Sequence, residues 1–152
     1  MRNTYSGTFV PKNISKYKGN PTKITYRSSW ELYMMKWLDN NPLVLFWNSE
    51  ETVIPYYSTA DKKNRRYFMD FKVWFEDGSI YYFEVKPYKE TQPPVPPKRF
   101  TKKAKERFIN EMYTYTVNQD KWKATKALEQ KHKNFKFRII TERTLKTLGW
   151  KG

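Results

Sequence analysis

The chain has 152 residues, which is enough for one domain around a single core and too few for two. Thirty Lys and Arg against fifteen Asp and Glu give a formal net charge of +15, which favours a polyanionic partner, and no apolar run approaches the roughly 20 residues that span a bilayer. The absence of cysteine excludes disulfide scaffolds and thiolate metal sites, and a single histidine, His132, argues against histidine-built zinc sites and Ser/His/Asp catalysis.

The first predicted elements are a basic segment, a helix and a short strand. Residues 1–27 show neither helix nor strand periodicity, so we interpret them as a basic arm or an extended wrap. Apolar side chains at helical spacing predict a helix over residues 29–40, which an Asn-Asn-Pro sequence ends. Residues 51–57 have the composition of a strand, and Pro55 within them indicates an edge strand.

Two longer strands follow and form a hairpin. Alternating apolar residues predict strands over 67–75 and 79–86, and the turn between them contains Gly78. The residues that follow are predicted to form a mobile loop at 87–100 and helices at 101–112 and 118–131, of which Asn118 caps the second. A strand is predicted at 135–140, and Thr141 opens a short final helix. The order helix, three strands, helices, strand, helix implies an α/β fold with a mixed sheet flanked by helices, in a single domain over 1–152.

The two hairpin strands each carry an acid, and the turn decides whether the acids meet. A two-residue turn would set Asp70 opposite Val85, whereas a three-residue loop with Gly78 in the left-handed region sets Asp70 opposite Glu84. Glycine at this position favours the three-residue loop. Bare like charges directly opposite each other repel, so the pair needs compensation.

Two kinds of compensation are possible for the pair. Both acids could lie on a solvated face and pair with some of the thirty cations, which is the usual fate of charges on strands. Alternatively, Asp70 and Glu84 could supply two oxygen ligands to Mg²⁺, with water and substrate phosphate in most of the other positions.

Two neighbouring residues favour the metal site. Lys86 completes the pattern D-x13-E-x-K, in which an ammonium beside two carboxylates can orient an attacking water or stabilise charge on a phosphate. Glu31 follows Ser28 by three residues, so a capping box alone would explain it. Glu31 also shares the face of the helix that packs on the sheet, where a carboxylate needs a partner and the same metal could serve.

The motifs YRSSWE, FMDF and FEVKP together resemble the PD-(D/E)XK nuclease superfamily, whose restriction-endonuclease-like core has the order helix, three strands, helix, strand. The helix glutamate, with NQDKWKATKAL followed by FKFRIIT, is similar to the branch that contains the TnsA-type endonucleases. The stretch YSGTFVPKNISKYKGNPTKITYRSSWE with the later motifs resembles the head completion nucleases of T-even-type tailed bacteriophages over essentially the whole chain. Met69 stands where the superfamily pattern has proline, immediately before the ligand position.

The resemblance implies Mg²⁺-dependent hydrolysis of DNA phosphodiester bonds, with Mn²⁺ as a substitute. Asp70, Glu84 and Glu31 would be the metal ligands, and Lys86 the catalytic cation. The resemblance also implies that a DNA terminus in the filled phage head is processed before neck and tail join, so that DNA and phage head, portal or neck proteins are the expected partners. We expect a protein of the host cytoplasm and the virion, neither secreted nor bound to a membrane.

Residues outside the pair have less specific interpretations. Arg27 lies before the first helix, where it could contact a phosphate near the site or be a surface charge. The helix after the proline-rich loop carries a basic residue toward the active site in the resembling families, and we assign that position to Lys121. Trp122 is predicted to be a core residue rather than a platform for base stacking. The N-terminal segment could follow a DNA backbone or dock on another head or neck protein.

Two classes of function fit these observations. The first is a metal-dependent DNA endonuclease, which requires the three acids and Lys86 to converge. The second is a non-catalytic structural protein of the head or neck that binds DNA ends and retains the nuclease fold. Net charge does not separate them, because both bind DNA.

Overall fold

The computed structural model describes residues 5–152, and its centre is a four-stranded sheet with helices on both sides. Two short 3₁₀ turns, Ile14–Lys16 and Tyr88–Thr91, lie outside the main elements. The strands and helices, in chain order, are β1 (Gly7–Thr8), β2 (Thr25–Tyr26), α1 (Ser29–Asn40), β3 (Val44–Ser49), β4 (Val53–Ser58), β5 (Lys63–Phe68), β6 (Phe71–Phe75), β7 (Ile80–Val85), α2 (Lys102–Lys131), β8 (Phe135–Ile140) and α3 (Glu142–Thr147).

The central sheet is mixed, as the sequence predicts. Its strand order is β3-β6-β7-β8, with antiparallel pairing at β3–β6 and β6–β7 and parallel pairing at β7–β8. Because a parallel pair needs a long crossover, the chain between β7 and β8 contains α2. Strands β4 and β5 form a separate antiparallel hairpin, and β1 pairs with β2. Over residues 5–152, none of the helices combines the length and the apolar character needed to cross a bilayer.

Strand alternation divides the buried apolar residues between two cores. The larger, the α1 core, lies where α1, α3 and the N-terminal segment pack on the sheet, and the smaller, the α2 core, lies under α2 and the β4–β5 hairpin. The α1 core consists of Phe9, Tyr17, Ile24, Met34, Met35, Leu38, Val44, Trp47, Phe71, Val73, Phe83, Val85, Ile140 and Leu145. The α2 core consists of Ile54, Tyr56, Tyr67, Met69, Trp122 and Phe137.

Several local predictions are confirmed. Helix α1 covers residues 29–40 and strand β8 covers residues 135–140, both as predicted, and Thr141 caps α3. The β6–β7 connection is the predicted three-residue loop, because the Phe75 amide donates to the Ser79 carbonyl and Gly78 has a φ of 89°. Trp122 is a core residue, with 3% of its surface exposed.

The prediction of one continuous strand over residues 67–75 is wrong. The chain leaves the β4–β5 hairpin at Phe68 and enters the central sheet at Phe71. Met69 lies between the two strands with no exposed surface, and its amide donates to the Thr52 carbonyl. The alternation of apolar residues continues through both strands, so the pattern does not reveal the exchange of partners.

Strand β3 was not predicted, and its burial pattern explains why. The register shifts between Val44 and Phe46, and three consecutive residues at the end of the strand, 47–49, are buried. A bulge of this kind interrupts the alternation that identifies a half-buried strand.

The two helices predicted at 101–112 and 118–131 are one helix, α2. Thr101 caps it by accepting a hydrogen bond from the Ala104 amide, and Asn118, the predicted cap of a second helix, lies buried in its middle. Residues 113–117 are Tyr, Thr and Val, which have low helix propensity but do not break a helix as Pro or Gly would.

The N-terminal segment, within residues 5–27, follows the surface as an extended wrap. Phe9, Tyr17 and Ile24 enter the α1 core. The buried Asp39 of α1 accepts hydrogen bonds from the amides of Lys12, at 2.9 Å, and Asn13, at 3.2 Å. The first four residues of the predicted basic arm lie outside the described residues.

Candidate active site

The β6–β7 hairpin brings Asp70 and Glu84 together. Phe71 pairs with Phe83 and Trp74 with Ile80, and the same register places Asp70, the residue before β6, beside Glu84. The Asp70 carboxylate accepts a hydrogen bond through Oδ2 from the Val85 amide at 2.7 Å. This is the arrangement that the three-residue loop predicts.

Glu84 is buried and surrounded by groups from three segments of the chain. It has 5% of its surface exposed, and the Tyr67 hydroxyl at the end of β5 donates a short hydrogen bond to its Oε2. The Lys86 ammonium lies 3.6 Å from its Oε1. Burial raises the pKa of Glu84, whereas Lys86, the Tyr67 hydroxyl and the charge of Lys121 on α2 act in the opposite direction.

Asp70 is in an environment that disfavours its charge. Burial raises its pKa well above the ordinary aspartate value, and the negative charges of Glu84 and Glu31 raise it further. The Val85 amide and Lys86 oppose this rise without cancelling it. Glu84 raises the pKa of both Asp70 and Glu31, so a cation placed among these acids would stabilise their charged forms.

Asp70 and Glu84 fit a hard divalent cation by the chemistry of their donors, which are carboxylate oxygens. Residues 5–152 contain no group of three or more His, Cys, Asp or Glu side chains placed to hold a metal ion. A cation held by the pair would therefore need water and substrate for its other positions, and a direct contact with Glu31 stays a prediction.

Glu31 lies at the start of α1, half-buried, on the side of the acid pair. Its amide donates to the Ser28 hydroxyl at 3.2 Å, as expected for the N-cap. Its Oε1, however, accepts from the amide of Arg27 at 3.0 Å and not from that of Ser28, so the predicted capping box is displaced by one residue. Burial raises the pKa of Glu31, and the charges of Glu50 and Glu84 raise it further.

Arg27 lies beside the acids but is paired with Glu50, a residue that the sequence did not suggest. Its Nε and Nη2 donate to the two Glu50 carboxylate oxygens at 2.9 and 3.1 Å. Glu50 has a positive φ of 57°, and its amide donates to the carbonyls of Met69 and Asp70 at 3.2 Å each. Glu50 therefore links the strand change before β6 to Arg27.

Helix α2 directs Lys121 toward the carboxylates, whereas Lys123 is exposed. Burial lowers the pKa of Lys121, and the charge of Glu84 opposes this. The Lys121 ammonium lies 5.3 Å from the centre of the Tyr67 ring. Tyr67 is the other neighbour that the sequence did not suggest, because β5 belongs to a different sheet from β7.

The comparisons with known proteins both match nucleases. Residues 41–142 match the family model described as TnsA-like endonuclease N terminal. The matched range contains Asp70, Glu84, Lys86 and Lys121 but not Glu31. The chain is also 56% identical over 150 residues to the head completion nuclease of Enterobacteria phage T4, covering 97% of this chain and 98% of that protein. No solved structure gives a significant match.

Proposed function

The chain belongs to the TnsA-like endonuclease family, and from this premise we propose that it is a Mg²⁺-dependent DNA endonuclease that hydrolyses phosphodiester bonds. The observation that carries the proposal is the pair of the half-buried Asp70 and the buried Glu84, with Lys86 beside it, inside the range matched by the family model. The net charge of +15 supports DNA as the substrate.

In the proposed site, Asp70 and Glu84 hold the metal ion, with Mn²⁺ as a substitute for Mg²⁺. When bound, the ion supplies Lewis-acid stabilisation of the phosphate and lowers the pKa of a bound water. The Val85 amide fixes the orientation of the Asp70 carboxylate, and the Tyr67 hydroxyl fixes that of Glu84. These hydrogen bonds keep both carboxylates in place while the substrate binds.

The cations around the pair have separate proposed tasks. Lys86, which is partly exposed, orients the attacking water and stabilises negative charge on the phosphate. Lys121 contacts the DNA backbone from the opposite wall of the site. Glu31 acts on the metal through water. Arg27 contacts a phosphate of the DNA after its ion pair with Glu50 has broken.

The similarity to the head completion nuclease of phage T4 supports a more specific role. We infer that the protein acts at the end of phage head assembly, in the host cytoplasm and the virion, where it processes a DNA end before the neck and tail are attached. Its partners would then include head, portal or neck proteins.

A nuclease assay on plasmid and linear DNA tests the activity. Wild-type protein should cut DNA with Mg²⁺ and leave it intact in EDTA, and Glu84→Gln should not cut under either condition while its DNA affinity is retained. Glu76→Gln is the matched control, because it removes the same charge from the exposed turn of the same hairpin. Intact DNA after long incubation of wild type with Mg²⁺ would refute the endonuclease and leave a structural DNA-end-binding protein.

A further inference from the structure

A groove of about 1030 Å³ lies between the first half of α2 and the proline-rich loop that follows β7. One end of its lining is close to the proposed active site in sequence, because Tyr88 follows Lys86 by two residues and Asn118 precedes Lys121 by one helical turn.

One face of α2 presents a polar stripe to the groove. The five lining residues in this stripe are spaced three or four apart, so they share a face of the helix, and Lys121 continues the same face into the active site. Glu106 and Glu111 also line the groove and flank the stripe, about 60° and 80° around the helix from the Lys121 direction, and Asn118 itself lies about 60° from that direction. Glu90 lines the groove from the loop. The stripe consists of Lys103, Arg107, Asn110, Thr114 and Asn118.

Asn118 is the buried member of the stripe. It has 4% of its surface exposed, and its side-chain nitrogen, Nδ2, is buried with no hydrogen-bond partner among residues 5–152. A buried amide without a partner costs stability, so its presence in the middle of a helix calls for an explanation outside the folded chain. An amide can donate to a phosphate oxygen and can also pair with the edge of a base.

The dimensions of the groove select the form of DNA. The fifteen residue-to-residue steps of the helix from Lys103 to Asn118 span about 22 Å. Divided by this length, the volume gives a mean cross-section of about 45 Å², which is about 7 Å across. This width admits one strand. A duplex does not fit, because it is wider than its own major groove, which is about 12 Å wide.

We propose that this groove binds a single-stranded DNA tail that continues from the phosphate cut at the active site, an inference that rests on the proposed nuclease function. The stripe follows the sugar-phosphate backbone, with Lys103 and Arg107 on phosphates and Asn118 nearest to the reaction. Tyr88, Pro93 and Val95 are the apolar part of the opposite wall, which packs against bases, and Lys89, Glu90 and Gln92 are its polar part. At the 3.4 Å per nucleotide of a stacked strand the length of the groove corresponds to at most about six nucleotides, and a more extended strand would place fewer.

Fluorescence anisotropy in EDTA tests this without requiring turnover. The probes are a blunt duplex and the same duplex with a six-nucleotide tail at either the 3′ or the 5′ end. Full-length wild-type protein should bind one of the tailed probes about tenfold more tightly than the blunt probe. Lys103→Gln/Arg107→Gln should lose this preference, and its salt dependence on the tailed probe should fall by about 1.4 in log–log slope.

Lys102→Gln/Lys105→Gln is the matched control. It removes two charges from the same stretch of α2, but both lysines are exposed and neither lines the groove. The control should keep the tail preference. The proposal that the groove binds the tail would be refuted if wild type bound blunt and tailed probes equally, or if the two variants lost the preference equally. Tail binding by a protein that does not cut DNA would refute only the nuclease.

Discussion

The two faces of the central sheet differ in what they bury. The face under α1 is covered by a large apolar core. Asp39, which is buried on this side, has hydrogen-bond partners within the fold, since each of its carboxylate oxygens accepts from a backbone amide. The face under α2 has the smaller core. Glu84 of the sheet and Asn118 of α2 are buried on this side, where their burial lowers the stability of the fold. Stability is therefore expected to come mainly from the α1 face and chemistry from the α2 face.

The largest effect is expected at the acid pair. Asp70→Asn should reduce DNA cleavage by at least about a thousandfold, roughly 4 kcal/mol in activation free energy, because a neutral amide is a poor ligand for a divalent cation. Steady-state cleavage rates with Mg²⁺ measure this, with Glu76→Gln as the control. Cleavage within tenfold of wild type would remove Asp70 from the metal site.

The same substitution should change how stability depends on pH. Because the fold raises the pKa of Asp70, this carboxyl stabilises the fold most below its ordinary pKa of 3.8, and the contribution is lost as the pH rises through the higher pKa. Asp70→Asn removes this loss, so in EDTA its melting temperature should exceed that of wild type at neutral pH, and the difference should shrink in acid. A variant less stable than wild type at neutral pH would contradict the assignment.

The next largest effect is expected in the α1 core. Leu38 has no exposed surface, so Leu38→Ala should lower the free energy of unfolding by about 2–5 kcal/mol. Leu128→Ala, the same change at a half-buried residue packed on the α2 core, should cost less. Denaturant titrations compare the two. The cleavage rate per folded molecule should be unchanged in Leu38→Ala. A lower rate per folded molecule would contradict the claim that the α1 face contributes stability and not chemistry.

A smaller effect is expected at Tyr67, which holds Glu84 by a hydrogen bond. Tyr67→Phe keeps the ring in the α2 core and should raise the Mg²⁺ concentration for half-maximal cleavage by about 10–100-fold. Magnesium titrations of the cleavage rate measure this change. An unchanged midpoint with a lower maximal rate would show that Tyr67 acts on the reaction and not on the geometry of Glu84.

The smallest effect separates stability from binding at Asn118. Asn118→Leu replaces a side chain whose buried amide nitrogen has no partner by an apolar group of similar size, so stability should rise by about 1 kcal/mol. Affinity for the tailed DNA probe should fall at the same time. Thermal melting and anisotropy on the same preparation test both. Loss of stability would mean that the amide has a partner within the fold.

Local patterns predicted the parts of the fold that depend on neighbours in sequence. Helix α1, strand β8, the cap at Thr141 and the loop at Gly78 follow from periodicity, capping and turn chemistry, which act over a few residues. The register at Gly78 also placed Asp70 beside Glu84. The central pair of the site was therefore predictable from one turn.

The surroundings of the pair depend on which distant segments meet, and only the tertiary structure decided them. Tyr67 and Glu50 come to the acids because the chain changes sheets at Met69, and an alternating pattern is the same whichever strand is its partner. The groove exists because α2 continues through residues 113–117, where propensity alone favoured a break. Sequence determined the local geometry of the acids, and long-range packing determined what holds them and what the substrate meets.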